Sequence, residues 1–120
     1  ARRAYAAASA RGRCRAMIAE DAAGARHAGA LVVWDSTAAY YLLGGGDPEL
    51  RASGAASLLL WEAIRGAATT SDAFDFCGSM KRPIERFFRS FGARQTPFLE
   101  VTKTPARLLR TARAARDALT

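Results

Sequence analysis

Residues 38–68 read AAYYLLGGGDPELRASGAASLLLWEAIRGAA, and the predicted fold is built around them. The apolar run at residues 38–43 predicts a strand. The glycines and the proline in residues 44–54 predict a loop. Residues 55–68 are rich in leucine and alanine and include Trp61, which predicts a helix that is buried in the core.

A strand that leads through a glycine-rich loop into a helix is an arrangement that can hold an anion. The first N–H groups of a helix lack acceptors, and the positive end of the helix dipole points at the preceding loop. Glycines at positions 44–46 and 54 allow a ligand to approach the backbone closely. Arg51 adds a forked guanidinium group, which suits phosphate.

Segments on either side of this stretch complete an alternation of helices and strands. Residues 1–10 predict a helix, and residues 13–20 and 26–34 predict two strands that are connected by tight turns. After the central helix we expect a strand at 73–77, a helix at 83–91, a strand at 95–103 and a helix at 106–119. In the helix at 83–91, one apolar stripe is formed by Ile84, Phe87, Phe88 and Phe91. The predicted fold class is therefore α/β (α+β), with a mixed, largely antiparallel sheet flanked by helices.

The composition limits the kind of protein. The 120 residues suffice for a single domain, residues 1–120, which we expect to be the C-terminal portion of a larger chain. The first residue is alanine, so the chain either has a processed N-terminus or is a fragment or trimmed form. The net charge of +7 indicates an acidic partner such as RNA, a phosphorylated cofactor or a membrane face, or else only solvated arginines. Cys14, Cys77 and the single His27 lack metal-ligand spacing, so we expect no metal and a reducing, cytoplasmic setting.

Three short stretches resemble a known family. They are residues 39–45 (AYYLLGG), residues 54–64 (GAASLLLWEAI), and the pair formed by residues 74–79 (FDFCGS) and 87–93 (FFRSFGA). Together they resemble the GNAT acyltransferase superfamily, and within it the Fem-like branch. The resemblance implies a sheet in which two strands splay apart around an activated acyl donor. It also implies that the first elements of the fold are missing here.

The resemblance further implies where the donor binds. Acetyl-CoA-using members carry Arg/Gln-x-x-Gly-x-Gly/Ala before the central helix, and residues 51–56 (RASGAA) fit this pattern. The co-substrate is then acetyl-CoA or another acyl-CoA, and the acceptor is the amine of a small molecule or peptide. The implied donor-binding residues are Leu42, Leu43, Gly44, Gly45, Arg51, Ser53, Gly54 and Ala55.

Direct transfer to an amine needs a neutral amine, a donor for the oxyanion and a proton for the leaving thiolate. We expect Tyr41 and Asp75 to be catalytic, and Tyr40, Cys77 and Ser79 to contact the acceptor. Tyr40 and Tyr41 point to opposite faces of their strand, so one faces the ligand while the other packs in the core. Asp75, on the same side of its strand as Cys77, either acts as a base or caps the neighbouring turn.

Two other functions fit the same residues. In the first, the donor is aminoacyl-tRNA and the acceptor is a cell-wall precursor, so that the arginines face nucleic acid. In the second, the domain is a basic binding module without catalytic activity. An unpaired sheet edge, left by the missing first elements, would favour a homodimer or an unstable fold.

Overall fold

The protein is described from a computed structural model, which covers residues 2–101 and residue 103. Three helices and four strands are present in these residues, with one 3-10 turn at Arg51–Ser53. In chain order they are α1 (Arg2–Ser9), β1 (Cys14–Glu20), β2 (Arg26–Trp34), β3 (Ala38–Gly46), α2 (Ala55–Ala67), β4 (Ala73–Asp75) and α3 (Arg82–Arg89).

The four strands form one sheet in the order β1-β2-β3-β4. β1, β2 and β3 are antiparallel, and aspartates shape the turns between them. The Asp21 carboxylate accepts hydrogen bonds from the N–H groups of Ala23 and Ala25, both at 2.9 Å. β4 returns through α2 and lies parallel to β3. The mixed, largely antiparallel sheet that the sequence predicts is thereby confirmed.

One face of α2 packs on one face of the sheet and forms the core. The buried residues of the helix are Leu59, Leu60, Ala63 and Ala67, and they face Ala28, Ala30, Val32 and Ala39 of the sheet. The prediction that Trp61 is buried is wrong, since 51% of it is exposed. Positions 58 and 61 lie on the helix face opposite the buried one, because an α-helix turns once every 3.6 residues.

Three element boundaries differ from the sequence prediction. β3 continues three residues beyond Leu43 to Gly46, because β2 pairs with its glycines. β4 is shorter than predicted and ends at Asp75, where its pairing with β3 stops. α3 ends at Arg89, and Gly92 follows it with a φ of 83°.

The strand predicted at residues 95–103 is absent from the described residues of that range. Phe98, Leu99 and Val101 are 83%, 93% and 93% exposed. A strand needs a neighbour for its backbone groups, and Pro97 supplies no N–H. The helix predicted at residues 106–119 lies outside the described residues. No helix in the part that is described has the length and apolarity needed to cross a membrane.

Candidate active site

The parallel strands β3 and β4 are paired only at their beginnings. The pairs are Ala38 with Ala73, Ala39 with Phe74, and Tyr40 with Asp75. β3 continues for six more residues, whereas β4 ends at Asp75. Beyond Tyr40, β3 therefore has no strand partner on this side among the described residues. This unpaired side of β3, at the carboxyl ends of the two strands where ligands of α/β sheets usually bind, is called the opening between β3 and β4 below.

A β-bulge in β3 faces this opening. Tyr41 pairs with Val32 and Leu43 pairs with Leu31, so Leu42 is an extra residue without a partner on β2. Because β4 has already ended, Leu42 has no strand partner on the other side within the described residues. Bulges free backbone groups and redirect side chains in this way near active sites.

The start of α2 lies at the same edge of the sheet. Gly54 precedes the helix in a left-handed conformation, with a φ of 75°, and no side chain caps the helix. The carbonyl of Gly54 accepts the N–H groups of Ser57 and Leu58, at 3.0 and 3.1 Å. Among residues 2–101, the N–H group of Ala56 has no acceptor, so it is available to an anion, whereas the N–H group of Gly54 closes the 3-10 turn that precedes it.

Arg51 adds positive charge next to these donors. It lies on the 3-10 turn that immediately precedes Gly54, it is exposed, and it forms no ion pair in the part of the chain that is described. The Ser53 hydroxyl accepts a 3.3 Å hydrogen bond from the Ala55 N–H group and so orders the turn. Guanidinium and free backbone donors at a helix start together fit a phosphate group.

The three glycines at the end of β3 serve different purposes. A Cβ atom on Gly44 would overlap the ring of Tyr41, and one on Gly46 would lie 2.7 Å from the carbonyl oxygen of His27. These two glycines are explained by packing within the chain. A Cβ on Gly45 would meet nothing within 4 Å, so only this glycine of the three borders open space.

Tyr41 lies on the α2 side of the sheet and is half-buried. It packs against both core clusters, and its ring meets that of Phe88 edge-on, with 5.8 Å between the ring centroids. Burial raises the pKa of the Tyr41 phenol above its ordinary value of 10.0. The phenol is therefore protonated at neutral pH and can donate a proton.

Tyr40 faces the opposite side of the sheet, where carboxylates surround it. It is in register with Asp75 and interacts with Asp35, whose negative charge is the largest cause of a raised pKa at Tyr40. The Asp35 carboxylate accepts the N–H groups of Ala38 and Thr37, at 2.9 and 2.8 Å, and these bonds lower its pKa. Asp35 therefore remains ionised beside Tyr40.

Asp75, Cys77 and Ser79 shape the chain where it leaves β4. Asp75 Oδ1 accepts the N–H group of Cys77 at 2.7 Å, which is the turn-capping role that the sequence left open. The prediction that Asp75 and Cys77 share one side of a strand is wrong, because the strand ends at Asp75 and Cys77 has a φ of 56°. Ser79 Oγ accepts the Lys81 N–H group at 3.1 Å, just before α3.

The geometry places the predicted site residues in two regions. One region is the edge of the sheet that holds the opening and the start of α2, and the other is the face of the sheet that carries Tyr40. Leu42, Leu43 and Gly45 border the opening, and Arg51, Ser53, Gly54 and Ala55 surround the start of α2. Tyr40 and Asp75 lie together on the other face. Sequence reasoning missed Asp35, which it interpreted only as part of a turn; an aspartate just before a strand that carries the site is the signal that could have identified it.

The cysteine and metal chemistry of this region is limited. Burial, and next the charge of Asp75, raise the pKa of the Cys77 thiol above 9.0, so the thiol is protonated at neutral pH. Cys77 is therefore a poor nucleophile in this setting. Among the described residues, no group of three or more metal-ligating side chains comes together.

Comparison with known proteins assigns the class. Residues 1–82 match the family model described as an acetyltransferase (GNAT) domain. The match covers 82 of the 120 residues, and these residues include all four strands of the described sheet. The domain is thus an acyltransferase. It belongs to the GNAT acetyltransferase family.

Solved structures have the same fold. A candidate acetyl transferase from Pyrococcus furiosus superposes with a TM-score of 0.72 at 12% identity, over 86% of this chain and 74% of that one. A single-site mutant of the BH1408 protein from Bacillus halodurans superposes with a TM-score of 0.70 at 17% identity, over 85% of this chain and 73% of that one. No curated protein matches the sequence.

Proposed function

We propose that this domain transfers an acyl group from acetyl-CoA, or a related thioester, to an amine. The observation that carries the proposal is that the opening between β3 and β4 and the uncapped start of α2 lie at one edge of the sheet. A thioester arm fits an opening between strands, while the phosphates of the same molecule fit a helix start. A cytoplasmic location, where acyl-CoA is made, follows from this proposal.

The donor would be held mostly by backbone groups. Its phosphates would accept a hydrogen bond from the N–H group of Ala56, at the start of α2, and pair with Arg51. The arm would then run along Leu42 and Leu43. On the side where β4 has ended, the backbone of these two residues has no strand partner among the described residues. A chain of this kind adds to the exposed edge of a strand through main-chain hydrogen bonds.

In the proposed reaction the amine nitrogen attacks the thioester carbonyl carbon, and the carbon–sulfur bond breaks. A backbone N–H group of the bulge at Leu42 would stabilise the oxyanion. The protonated phenol of Tyr41 would give its proton to the leaving thiolate. Two observations support this role. Burial raises the pKa of the Tyr41 phenol, and Tyr41 lies next to the bulge, with its hydroxyl group close to Gly44.

The acceptor would approach from the face that carries Tyr40. Asp75 keeps one carboxylate oxygen without a hydrogen bond in the described part of the chain, and Asp35 lies close enough to Tyr40 to raise its pKa. These carboxylates would attract a protonated amine, and Asp75 would take its proton. Cys77 and Ser79 would form the rim of this acceptor site.

A melting experiment tests the donor site. Acetyl-CoA that binds only the folded state at a hundredfold excess over its dissociation constant should add about 2.7 kcal/mol of stability, and Arg51→Glu should lose the resulting shift. Arg3→Glu makes the same charge change on α1 and should keep the shift. If the wild type melts cooperatively but without any shift, acetyl-CoA is not the donor.

A second donor, aminoacyl-tRNA, is favoured by one separate observation. Five arginines and no acidic residue precede Glu20, so α1 and the start of β1 are strongly basic. A Fem-like enzyme that uses this donor should bind tRNA with an affinity that falls steeply as salt rises. Arg3→Glu should weaken such binding, whereas it should leave acetyl-CoA binding unchanged; tRNA binding without salt dependence would count against this donor.

A further inference from the structure

A small cleft lies between the C-terminal half of α2 and the strands β1 and β2, and its volume is about 70 Å³. Most of the side chains that line it are apolar: Met17, Val32, Trp34, Ala63 and Ala67. Val32, Ala63 and Ala67 belong to the hydrophobic core, and Met17 and Trp34 pack against this core. The cleft therefore leads from the apolar core of the domain to its surface.

Arg15 lies at the mouth of this cleft, where its side chain is exposed. The guanidinium group rests on the last turn of α2, because a Cβ atom on Gly66 would lie 3.0 Å from Arg15 Nη1. The glycine thus leaves the room that the guanidinium group occupies. In the part of the chain that the structure describes, Arg15 forms no ion pair, so its charge is available to an anionic group.

The other polar side chains of the cleft are bonded within the chain. Thr69 Oγ1 donates a hydrogen bond to the carbonyl oxygen of Gly66 at 2.8 Å, and Thr70 Oγ1 donates one to the carbonyl oxygen of Ala67 at 3.2 Å. A water molecule needs two to four polar partners to be well held, and the apolar walls supply none. An apolar group that displaces such water gains free energy.

We propose that this cleft binds a short aliphatic carboxylate. The carboxylate group pairs with Arg15, whose planar fork matches the two carboxylate oxygens, and the alkyl chain fills the apolar cleft. The volume sets the length of the chain. An apolar cavity of about 150 Å³ holds benzene, so a cleft of about 70 Å³ holds roughly three carbon atoms, which is the alkyl chain of butyrate.

This cleft is separate from the proposed acyl-donor site. The donor site is at the start of α2, whereas Gly66 and Ala67 lie at the end of the helix. The helix has 13 residues, and a rise of about 1.5 Å per residue places its two ends about 18 Å apart. Binding in the cleft is therefore measured without any acyl donor, and its result does not depend on the proposed acyl transfer.

Tryptophan fluorescence tests the proposal, because Trp34 lines the cleft. Trp61 is the only other tryptophan and is half-exposed, so a Trp61→Phe background leaves Trp34 as the single reporter. Sodium butyrate, titrated at constant ionic strength against sodium chloride, should change the emission of Trp34 until it saturates. Arg15→Gln should weaken this binding about tenfold or more, because a charge-assisted hydrogen bond is lost.

Matched controls separate the charge of Arg15 from its contribution to folding and from net charge. Arg15→Gln should melt cooperatively, like the wild type, because the side chain is exposed. Arg26→Gln removes the same charge at the other end of β1, where Arg26 lies 3.7 Å from Glu20, and should leave butyrate binding unchanged. Butyramide has the same alkyl chain without the charge, so it should bind about tenfold more weakly than butyrate or worse.

Three results would overturn the proposal. Emission that changes without saturation shows that butyrate does not occupy the cleft. Equal affinities of the wild type and Arg15→Gln, or of butyrate and butyramide, show that the guanidinium group takes no part in binding. Benzoate, whose ring needs about 150 Å³, should bind more weakly than butyrate, and an equal affinity would show that the cleft does not select its ligand by size.

Discussion

The hydroxyl group of Tyr41 lies directly over Gly44, on the same face of β3. Residues three apart normally point to opposite faces of a strand. The extra residue at Leu42 brings Tyr41 and Gly44 to the same face. Tyr41 pairs with Val32 and Gly44 pairs with Ala30, and these two partners lie on one face of β2. The bulge therefore decides both where the phenol lies and why a glycine must follow it.

Gly44→Ala should destabilise the fold by about 1–3 kcal/mol, because the new Cβ overlaps the ring of Tyr41 and the ring must move. Urea denaturation measures the change. Gly45→Ala is the matched control, since a Cβ there meets nothing within 4 Å. In the Tyr41→Ala background the same Gly44→Ala change should cost much less; an equal cost in both backgrounds would show that the ring is not its cause.

Tyr41→Phe should lower kcat by about 10²–10⁴-fold in an acyl-transfer assay, because a general acid is lost. The affinity for acetyl-CoA should hardly change, since the proposed contacts with its phosphates are made by Arg51 and Ala56. Release of free thiol with a range of amines measures the rate. If Tyr41→Phe keeps full activity, another group or a water molecule protonates the thiolate.

Gly54→Ala should destabilise the fold by about 1–2 kcal/mol, because a residue with a Cβ is strained at a φ of 75°. The melting shift with acetyl-CoA should shrink as well, since the first N–H groups of α2 are displaced. Gly54→Asn is the control, because asparagine tolerates the left-handed region and should retain most of both properties. Similar losses in the two variants would indicate that bulk at position 54 matters more than its conformation.

Cys77 should react with thiol reagents only at raised pH, because burial and the charge of Asp75 hold its pKa above 9.0. Asp75→Asn removes that charge, so it should lower the pH at which labelling becomes fast. The rates are measured in a Cys14→Ser background, which leaves a single thiol. Faster labelling of Asp75→Asn at constant pH is expected; slower labelling would mean that Asp75 activates the thiol.

Asp75→Asn should also raise the KM for a cationic amine acceptor while it leaves the melting shift with acetyl-CoA unchanged. The amide keeps an oxygen that can accept the Cys77 N–H group, so the turn after β4 should persist. Steady-state kinetics with charged and neutral amines separate the role of Asp75 in recognising the charge of the acceptor from its role in the turn after β4. An equal effect on both kinds of amine would remove Asp75 from acceptor recognition.

Elements whose signals are local could be predicted from the amino-acid sequence. A run of strand-forming residues, a glycine-rich loop and a leucine-rich helix predicted β3 and α2, and aspartates with glycines predicted the tight turns of the antiparallel sheet. The same residues carried part of the resemblance to the GNAT superfamily, which the matching model over residues 1–82 bears out, while the Fem-like branch stays a prediction. Side-chain periodicity and backbone freedom are encoded within a few neighbouring residues, so these features could be predicted without the fold.

Features that depend on distant partners are set by the tertiary structure. The bulge at Leu42 follows from the register between β2 and β3, and the pairing of β4 with β3 ends at Asp75, just before the chain turns at Cys77 with a φ of 56°. Residues 95–101 have the pattern of a strand but pair with no strand in the part of the chain that is described, and Asp35 approaches Tyr40 only once the turn before β3 has formed. Strand pairing joins residues far apart in sequence, and no local pattern records which backbone groups will find a partner.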